Sequence, residues 1–178
     1  GISKYAVELD LECAQSQFGL NYSILRPHNV IGIRQNIWDK YRNVMGIWIR
    51  RVLRKESICI FGDGKQERAF SDIKFCLEPF EKLMFGHHGE VFNLGCSKQY
   101  SLNEIAETVV TVAKEFGFNP PIEHLPKRHG EAKYAYCNHD KAEKLLGFKD
   151  ETNIEQTIRE MFVWAMKQED REVKQMPY

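Results

Sequence analysis

The first 27 residues constrain the fold most. Ile2, Tyr5, Ala6, Leu9 and Cys13 recur at helical spacing, with Glu8, Asp10, Glu12 and Gln15 elsewhere around the helix. Gly19 stands where a helix C-cap belongs. Tyr22-Ser23-Ile24-Leu25-Arg26 is a short, mostly apolar β-like run ended by Pro27, which cannot donate to a central ladder. Helix, tight turn and strand in that order form the αβ half of a doubly wound unit, so the chain is expected to be α/β.

The same alternation continues. Residues 28–41 are polar and irregular and read as a loop, and residues 42–54 as an amphipathic helix with basic residues late, where they suit the helix dipole. Ser57-Ile58-Cys59-Ile60-Phe61 is a strand stopped by the turn Gly62-Asp63-Gly64. Residues 68–73 are extended, and a helix over 74–85 tolerates Pro79 only near an end or at a kink. Residues 90–95 form another strand. Ser101-Leu102-Asn103-Glu104 is a capping box opening a helix to Phe116, with Leu102, Ile105, Ala106, Val109, Val112, Ala113 and Phe116 inward. Residues 120–125 are extended, and a short helix from His139 to Leu146 is capped by Asn138 and closed by Gly147. Thr152-Asn153-Ile154-Glu155 reads as a second capping box before a helix to Gln168, with Ile154, Ile158, Met161, Phe162 and Ala165 inward; a polar tail follows Glu169.

A chain of 178 residues supports one domain, or one and a small appendage. Lys+Arg and Asp+Glu are equal at 25 each, so no global field points to nucleic acid or an anionic membrane. The five cysteines are scattered and never spaced Cys-x-x-Cys, and the six histidines show no ligand spacing. No metal is expected, Cys137 reads as core and His87-His88 as a loop, and a reducing, cytoplasmic setting fits the free thiols. No apolar run approaches a bilayer span, and the opening is amphipathic rather than a basic-then-apolar signal. No Gly-x-x-Gly-x-x-Gly follows a strand, so the device that brings a dinucleotide pyrophosphate to a helix N-terminus is expected elsewhere than in these residues.

Separated motifs then recur in order: Gly1-Ile2-Ser3-Lys4; Leu25-Arg26-Pro27-His28-Asn29-Val30-Ile31-Gly32; Gly62-Asp63-Gly64-Lys65-Gln66-Glu67-Arg68-Ala69-Phe70; and Phe92-Asn93-Leu94-Gly95 with Arg128-His129-Gly130-Glu131 and Lys141–Phe148. With these the chain resembles the C-terminal half of an extended short-chain dehydrogenase/reductase, in the NAD-dependent sugar-nucleotide epimerase and dehydratase family, and is most like the UDP-glucose 4-epimerases. The resemblance implies a Rossmann-like fold without its N-terminal dinucleotide-binding half. Residues 1–27 would end the Rossmann-like domain. Residues 28–168 would be mainly the substrate domain, with a returning strand and helix near 68–95, and 169–178 a tail. In the family's Tyr-x-x-x-Lys motif the tyrosine would stand immediately before Gly1. Departures are Ala69 for an aspartate, Ile31 for a tyrosine, and Asp72-Ile73-Lys74-Phe75 for Tyr-Val-Asp-Asp.

By the same resemblance Lys4 is catalytic: its ammonium binds the nicotinamide ribose and lowers the phenol pKa of the tyrosine one turn before it. Pro27 and Asn29 would also line the NAD site. Asn29, Arg68 and Arg128 would bind a nucleotide-sugar, the guanidinium forks matching paired phosphate oxygens. On composition alone Lys4 reads as a solvated first-turn lysine, the two arginines as surface ion-pair partners, and Asn29 as a turn residue after Pro27. The implied reaction is UDP-hexose 4-epimerisation through a 4-keto sugar, in a homodimeric parent. NAD is not expected to bind tightly to these residues alone, nor are they expected to turn over substrate. The alternatives are 4,6-dehydration or decarboxylation on the same fold, or a non-catalytic remnant or assembly module. Small Ala135 leaves room for an N-acetylhexosamine.

Overall fold

The computed structural model describes residues 1–39, 43–130 and 132–170. Arg42 at the head of the second expected helix, Glu131 of the last motif and residues 171–178 of the tail lie outside that set. Helix α1 spans Ile2–Phe18 and ends at Gly19, whose φ of 68° is left-handed and whose N–H closes onto the Gln15 carbonyl. None of its residues is buried; Ile2 is 91% and Phe18 81% exposed. The helical period is therefore as read, but the apolar positions meet solvent. What ties α1 to the next element is a bidentate fork: Arg26 Nε donates to Glu8 Oε1 at 2.8 Å, and Nη2 to Oε2.

Strand β1 (Ile24–Pro27) pairs in parallel with β6 (Val91–Leu94), from Ile24 opposite Val91 to Pro27 opposite Leu94. Among the described residues β1 has only β6 beside it. The expected loop 28–41 holds a further strand, β2 (Val30–Ile31), parallel to β5 (Ser71–Asp72). Two residues are too few to carry an alternation signal. Helix α2 (Val44–Leu53) is capped by the Asn43 side chain, which accepts from Met45 N, and it buries Met45, Trp48, Ile49 and Val52. Strand β3 (Ile58–Phe61) runs parallel to β8 (Ile122–Leu125). Strand β4 (Glu67–Ala69) is the centre of a small mixed sheet, antiparallel to β7 (Gln99–Ser101) and parallel to β9 (Tyr134–Ala135).

Helix α3 (Ile73–Met84) contains Pro79 in its interior, buried, where the missing N–H forgoes the bond to the Phe75 carbonyl; of the two expected settings, an end or a kink, it is not at an end. Helix α4 (Leu102–Glu115) has the capping box as read: Glu104 N donates to Ser101 Oγ at 3.2 Å and Ser101 N to Glu104 Oε2 at 2.7 Å. Helix α5 (Asp140–Leu146) closes at left-handed Gly147. Asn138 accepts from Asp140 N, although His139 occupies the cap position itself. Helix α6 (Ile154–Ala165) corrects the second box. Its cap is Asn153, which accepts from Gln156 N, and the Thr152 hydroxyl instead accepts from the backbone N–H of Asp72 at 2.8 Å.

Two cores result. The larger packs α2, α4 and α6 against β3 through Trp48, Ile49, Ile105, Val109, Ile158 and Phe162, with Phe116 stacked on Phe162 at 5.8 Å. Each such side chain contributes about 1.5–3 kcal/mol by leaving water. The smaller joins the β1–β6 pair to α3 and α5 through Cys76, Phe92, Leu94, Leu146 and Phe148. Burial pushes the Cys76 thiol up to about 11. Asp72, 3% exposed, sits between the two: Oδ1 caps α3 by accepting from Lys74 N at 3.0 Å, and Oδ2 accepts from Thr157 Oγ1 of α6 at 2.8 Å. No described helix is long and apolar enough to cross a membrane.

Replacing Thr157 with Val keeps the shape and removes a donor to a buried carboxylate. The unfolding free energy should fall by about 1–3 kcal/mol, read as a lower denaturant midpoint at unchanged m-value. The hydrogen bond from Arg26 holds the Glu8 carboxyl below its ordinary value. Its stabilisation of α1 is therefore present above the unfolded-state carboxylate pKa and lost as pH falls through the depressed value. Amide-exchange protection along α1 should hold down to the ordinary carboxylate pKa and drop selectively as pH falls below it, and Glu8→Gln should remove that acid dependence.

Candidate functional site

The turn after β3 sets the geometry of the main cleft. Gly62 and Gly64 take φ of 78° and 72°, and Lys65 N closes onto Asp63 Oδ1 at 3.1 Å. The buried Gln66 side chain donates back to the Phe61 carbonyl at 2.8 Å. The chain thus reverses within a few residues, and Phe61 at the end of β3 and Arg68 in the middle of β4 line one cavity. A Cβ at Gly64 would collide with the Asn103 side chain, which bonds the Asp63 carbonyl.

That cavity, of ≈ 350 Å³, also receives Asn29 from the β1–β2 connection and Arg128 from the segment after β8. The structure therefore brings together Asn29, Arg68 and Arg128, which are far apart in sequence. The Arg128 guanidinium carbon lies 3.6 Å from the Phe61 ring centroid, a cation–π contact. Arg68 is held by backbone carbonyls: Nη1 donates to Glu67 O and Nη2 to Ala132 O, each at 2.7 Å. Asn29 has a left-handed φ of 46°, and its Nδ2 is enclosed without a partner among the described residues. Arg51 also lines the cavity, committed to Glu56 at 3.2 Å and to the Ser57 carbonyl. Three guanidinium side chains and no carboxylate line the space among the described residues, a field that suits a polyanion.

Several lining residues escaped the sequence reading. Asn43 caps α2 and donates from Nδ2 to the Val30 carbonyl at 3.1 Å; its signal was its place just before an amphipathic helix. Trp48 forms the floor and fixes β3 by donating from Nε1 to the Cys59 carbonyl at 2.9 Å. Cys59 and Phe70 complete the wall, and their place in apolar runs disguised them as core.

Lys4 and Pro27 lie elsewhere, in a broader cleft of ≈ 800 Å³ between α1 and β1. Pro27 lines this second cleft and Asn29 the first, so the turn at the C-terminal end of β1 separates them. His28 is the residue between. Desolvation first, and the Arg68 charge second, hold its imidazole below the ordinary value. Its backbone N–H extends the ladder to the Leu94 carbonyl at 2.8 Å. Gly95 makes the room: a Cβ there would lie 2.6 Å from Cys137 Sγ and 3.4 Å from His28 Cβ. Cys137 is half-buried, its thiol pushed up by desolvation. No group of three or more His, Cys, Asp or Glu side chains among the described residues is placed to hold a metal.

The model of the NAD dependent epimerase/dehydratase family matches residues 1–95. A putative UDP-glucose 4-epimerase of Methanocaldococcus jannaschii is 32% identical over 171 residues, 96% of this chain and 54% of that protein. UDP-glucuronic acid decarboxylase 2 of Arabidopsis thaliana is 31% identical over 135 residues, 76% of this chain and 29% of that protein. Among solved structures, the UDP-glucose 4-epimerase of Thermotoga maritima with UDP-glucose superposes at a TM-score of 0.85 with 28% identity, over 94% of this chain and 53% of that one. The chain thus spans about half the length of the epimerases it matches, and less of the decarboxylase.

Gly64→Ala should destabilise the chain by about 1–3 kcal/mol, from left-handed strain and the clash with Asn103. Thermal unfolding reads the loss, and tryptophan fluorescence from Trp48 reports whether the cavity floor moves with it.

Proposed function

This chain belongs to the NAD dependent epimerase/dehydratase family, and on that premise we propose that it is the nucleotide-sugar-binding portion of a UDP-hexose 4-epimerase. The observation that carries this is the convergence of Asn29, Arg68 and Arg128 beside Phe61 in one cavity without a lining carboxylate. A diphosphate fits between the two guanidinium groups, with Arg68 pre-set by its carbonyl contacts and Arg128 by the Phe61 ring. The nucleobase lies on the apolar side, near Trp48, Cys59 and Leu125. The hexose points past Asn29 toward the cleft of Lys4 and Pro27. Residues 1–27 then end the Rossmann-like domain, and residues 28–168 are mainly the substrate domain.

NAD, when bound, would supply reversible hydride acceptance at C4 of the hexose. Lys4 and Pro27 fit the nicotinamide end of such a group, since they face one open cleft at the C-terminal end of a parallel strand. The sequence offers no glycine-rich pyrophosphate cradle, so these residues alone would hold the group weakly. The part of Lys4 would be electrostatic: in the family motif that it matches, the ammonium stands one helical turn from a phenol and would favour phenolate, the base for the 4-hydroxyl proton. Outward-facing Tyr5, Leu9 and Cys13 of α1 support self-association of the parent enzyme. Decarboxylation and dehydration share the 4-keto stage, and the Arabidopsis relative favours keeping decarboxylation as a second reading.

Calorimetric titration of the 178-residue chain should show weak binding of UDP, no tight binding of NAD and no turnover. Arg68→Ala and Arg128→Ala should each weaken UDP roughly ten-fold or more, the worth of a charge-assisted contact. Failure of the unaltered chain to bind UDP at millimolar concentration would overturn the reading.

A further inference from the structure

We propose that Arg51 reads the nucleobase, donating to the carbonyl at ring position 4 of a pyrimidine and so selecting uracil over cytosine. The inference rests on the nucleotide-sugar reading above and adds to it a residue that sets which base is accepted. Place along β3 is the first argument. Arg51 Nε donates to the carbonyl of Ser57, just before the strand begins, and the Arg128 guanidinium lies over Phe61, the last residue of the strand. Ser57 and Phe61 stand roughly 13 Å apart along an extended chain, farther than one diphosphate reaches. Arg51 therefore lines the cavity at the end away from Arg128, beside Trp48 one turn earlier on α2 and the Cys59 carbonyl that Trp48 holds. In a pyrimidine nucleoside diphosphate the base edge at position 4 is the part farthest from the phosphates.

The second argument is how the side chain is held. Val44, Ile47, Trp48 and Arg51 line the cavity at helical spacing, so Arg51 is the last residue of the α2 face turned to it. The Glu56 backbone N–H donates to the Arg51 carbonyl at 2.8 Å, and Arg51 Nη1 lies 3.2 Å from the Glu56 carboxylate. Ser57 and Glu56 are the polar partners of the guanidinium among the described residues. A guanidinium carries five N–H donors and no acceptor, so these two partners fix its position without using all of its hydrogen-bonding capacity. The third argument is chemical. A group that only donates matches a carbonyl oxygen, as uracil has at position 4, and opposes the amino group that cytosine carries there. No carboxylate among the described residues lines the cavity to accept from that amino group.

UDP and CDP differ only at the base, and they separate this inference from the reading beneath it. In calorimetric titration the unaltered chain should bind UDP roughly five-fold or more tighter than CDP, the low end of what a specific base contact discriminates. On the same chain 4-thio-UDP, whose sulfur accepts poorly, should fall toward CDP, and 2-thio-UDP should stay within about two-fold of UDP. Arg51→Met should bring UDP down to the affinity of CDP and leave inorganic pyrophosphate within about two-fold, a sign that the cavity of Arg68 and Arg128 still stands. Arg51→Lys, which keeps a donor without the fork, should recover part of the preference. UDP bound no better than CDP by the unaltered chain, or a preference kept in Arg51→Met, would sink the Arg51 assignment alone. If Arg51→Met loses pyrophosphate as well, the thio analogues on the unaltered chain decide, and equal affinity for the two overturns the assignment. Absence of any UDP binding would sink the nucleotide-sugar reading and the assignment with it.

Discussion

The buried carboxylate of Asp72 is the joint on which the arrangement depends. It caps α3, which belongs to the small core, and accepts from Thr157 on α6, which belongs to the large one. Its own backbone N–H is taken by Thr152, and Lys74 lies 3.3 Å from its second oxygen. A carboxylate this deep is tolerable only because each oxygen is engaged. The same few residues fix β5 against β2, and β2 follows directly on the turn carrying His28 and Asn29. Asp72 therefore links the two cores through one buried polar junction.

This gives physical meaning to a departure legible in the sequence. Where the family carries Tyr-Val-Asp-Asp, this chain has Asp72-Ile73-Lys74-Phe75, which reads as a charge reversal at a turn. In the fold the pair compensates itself: the acid moves to the cap position and the base stands beside it. What sequence could not tell was the partner of each hydroxyl. Thr152 and Asn153 are both competent N-caps, and the local pattern favours the threonine. The choice falls to Asn153 because Thr152 is claimed by a backbone group 80 residues away.

Elements whose cause is local were readable residue by residue. The Ser101–Glu104 box, the left-handed Gly19 and Gly147, and the inward faces of α4 and α6 all follow from spacing within a turn or two. Pro79 stands inside α3 because a helix interior can accept the loss of one bond when its other bonds and its burial hold it. The site was half legible. Arg68, Arg128 and Asn29 were found by resemblance, and the fold brings them together. Trp48, Cys59 and Phe70 were hidden because an apolar side chain that lines a ligand cavity has the same periodicity as one that fills a core.

The isolation of α1 has a further consequence. The arginine cavity is carved into the large core and inherits its rigidity, whereas Lys4 rides on a helix that buries none of its side chains. The two clefts thereby rest on supports of unequal depth. Loosening α1 leaves the arginine cavity standing, because no residue of α1 lines it. The face of Lys4 can therefore shift with α1 while the walls of the arginine cavity keep their place.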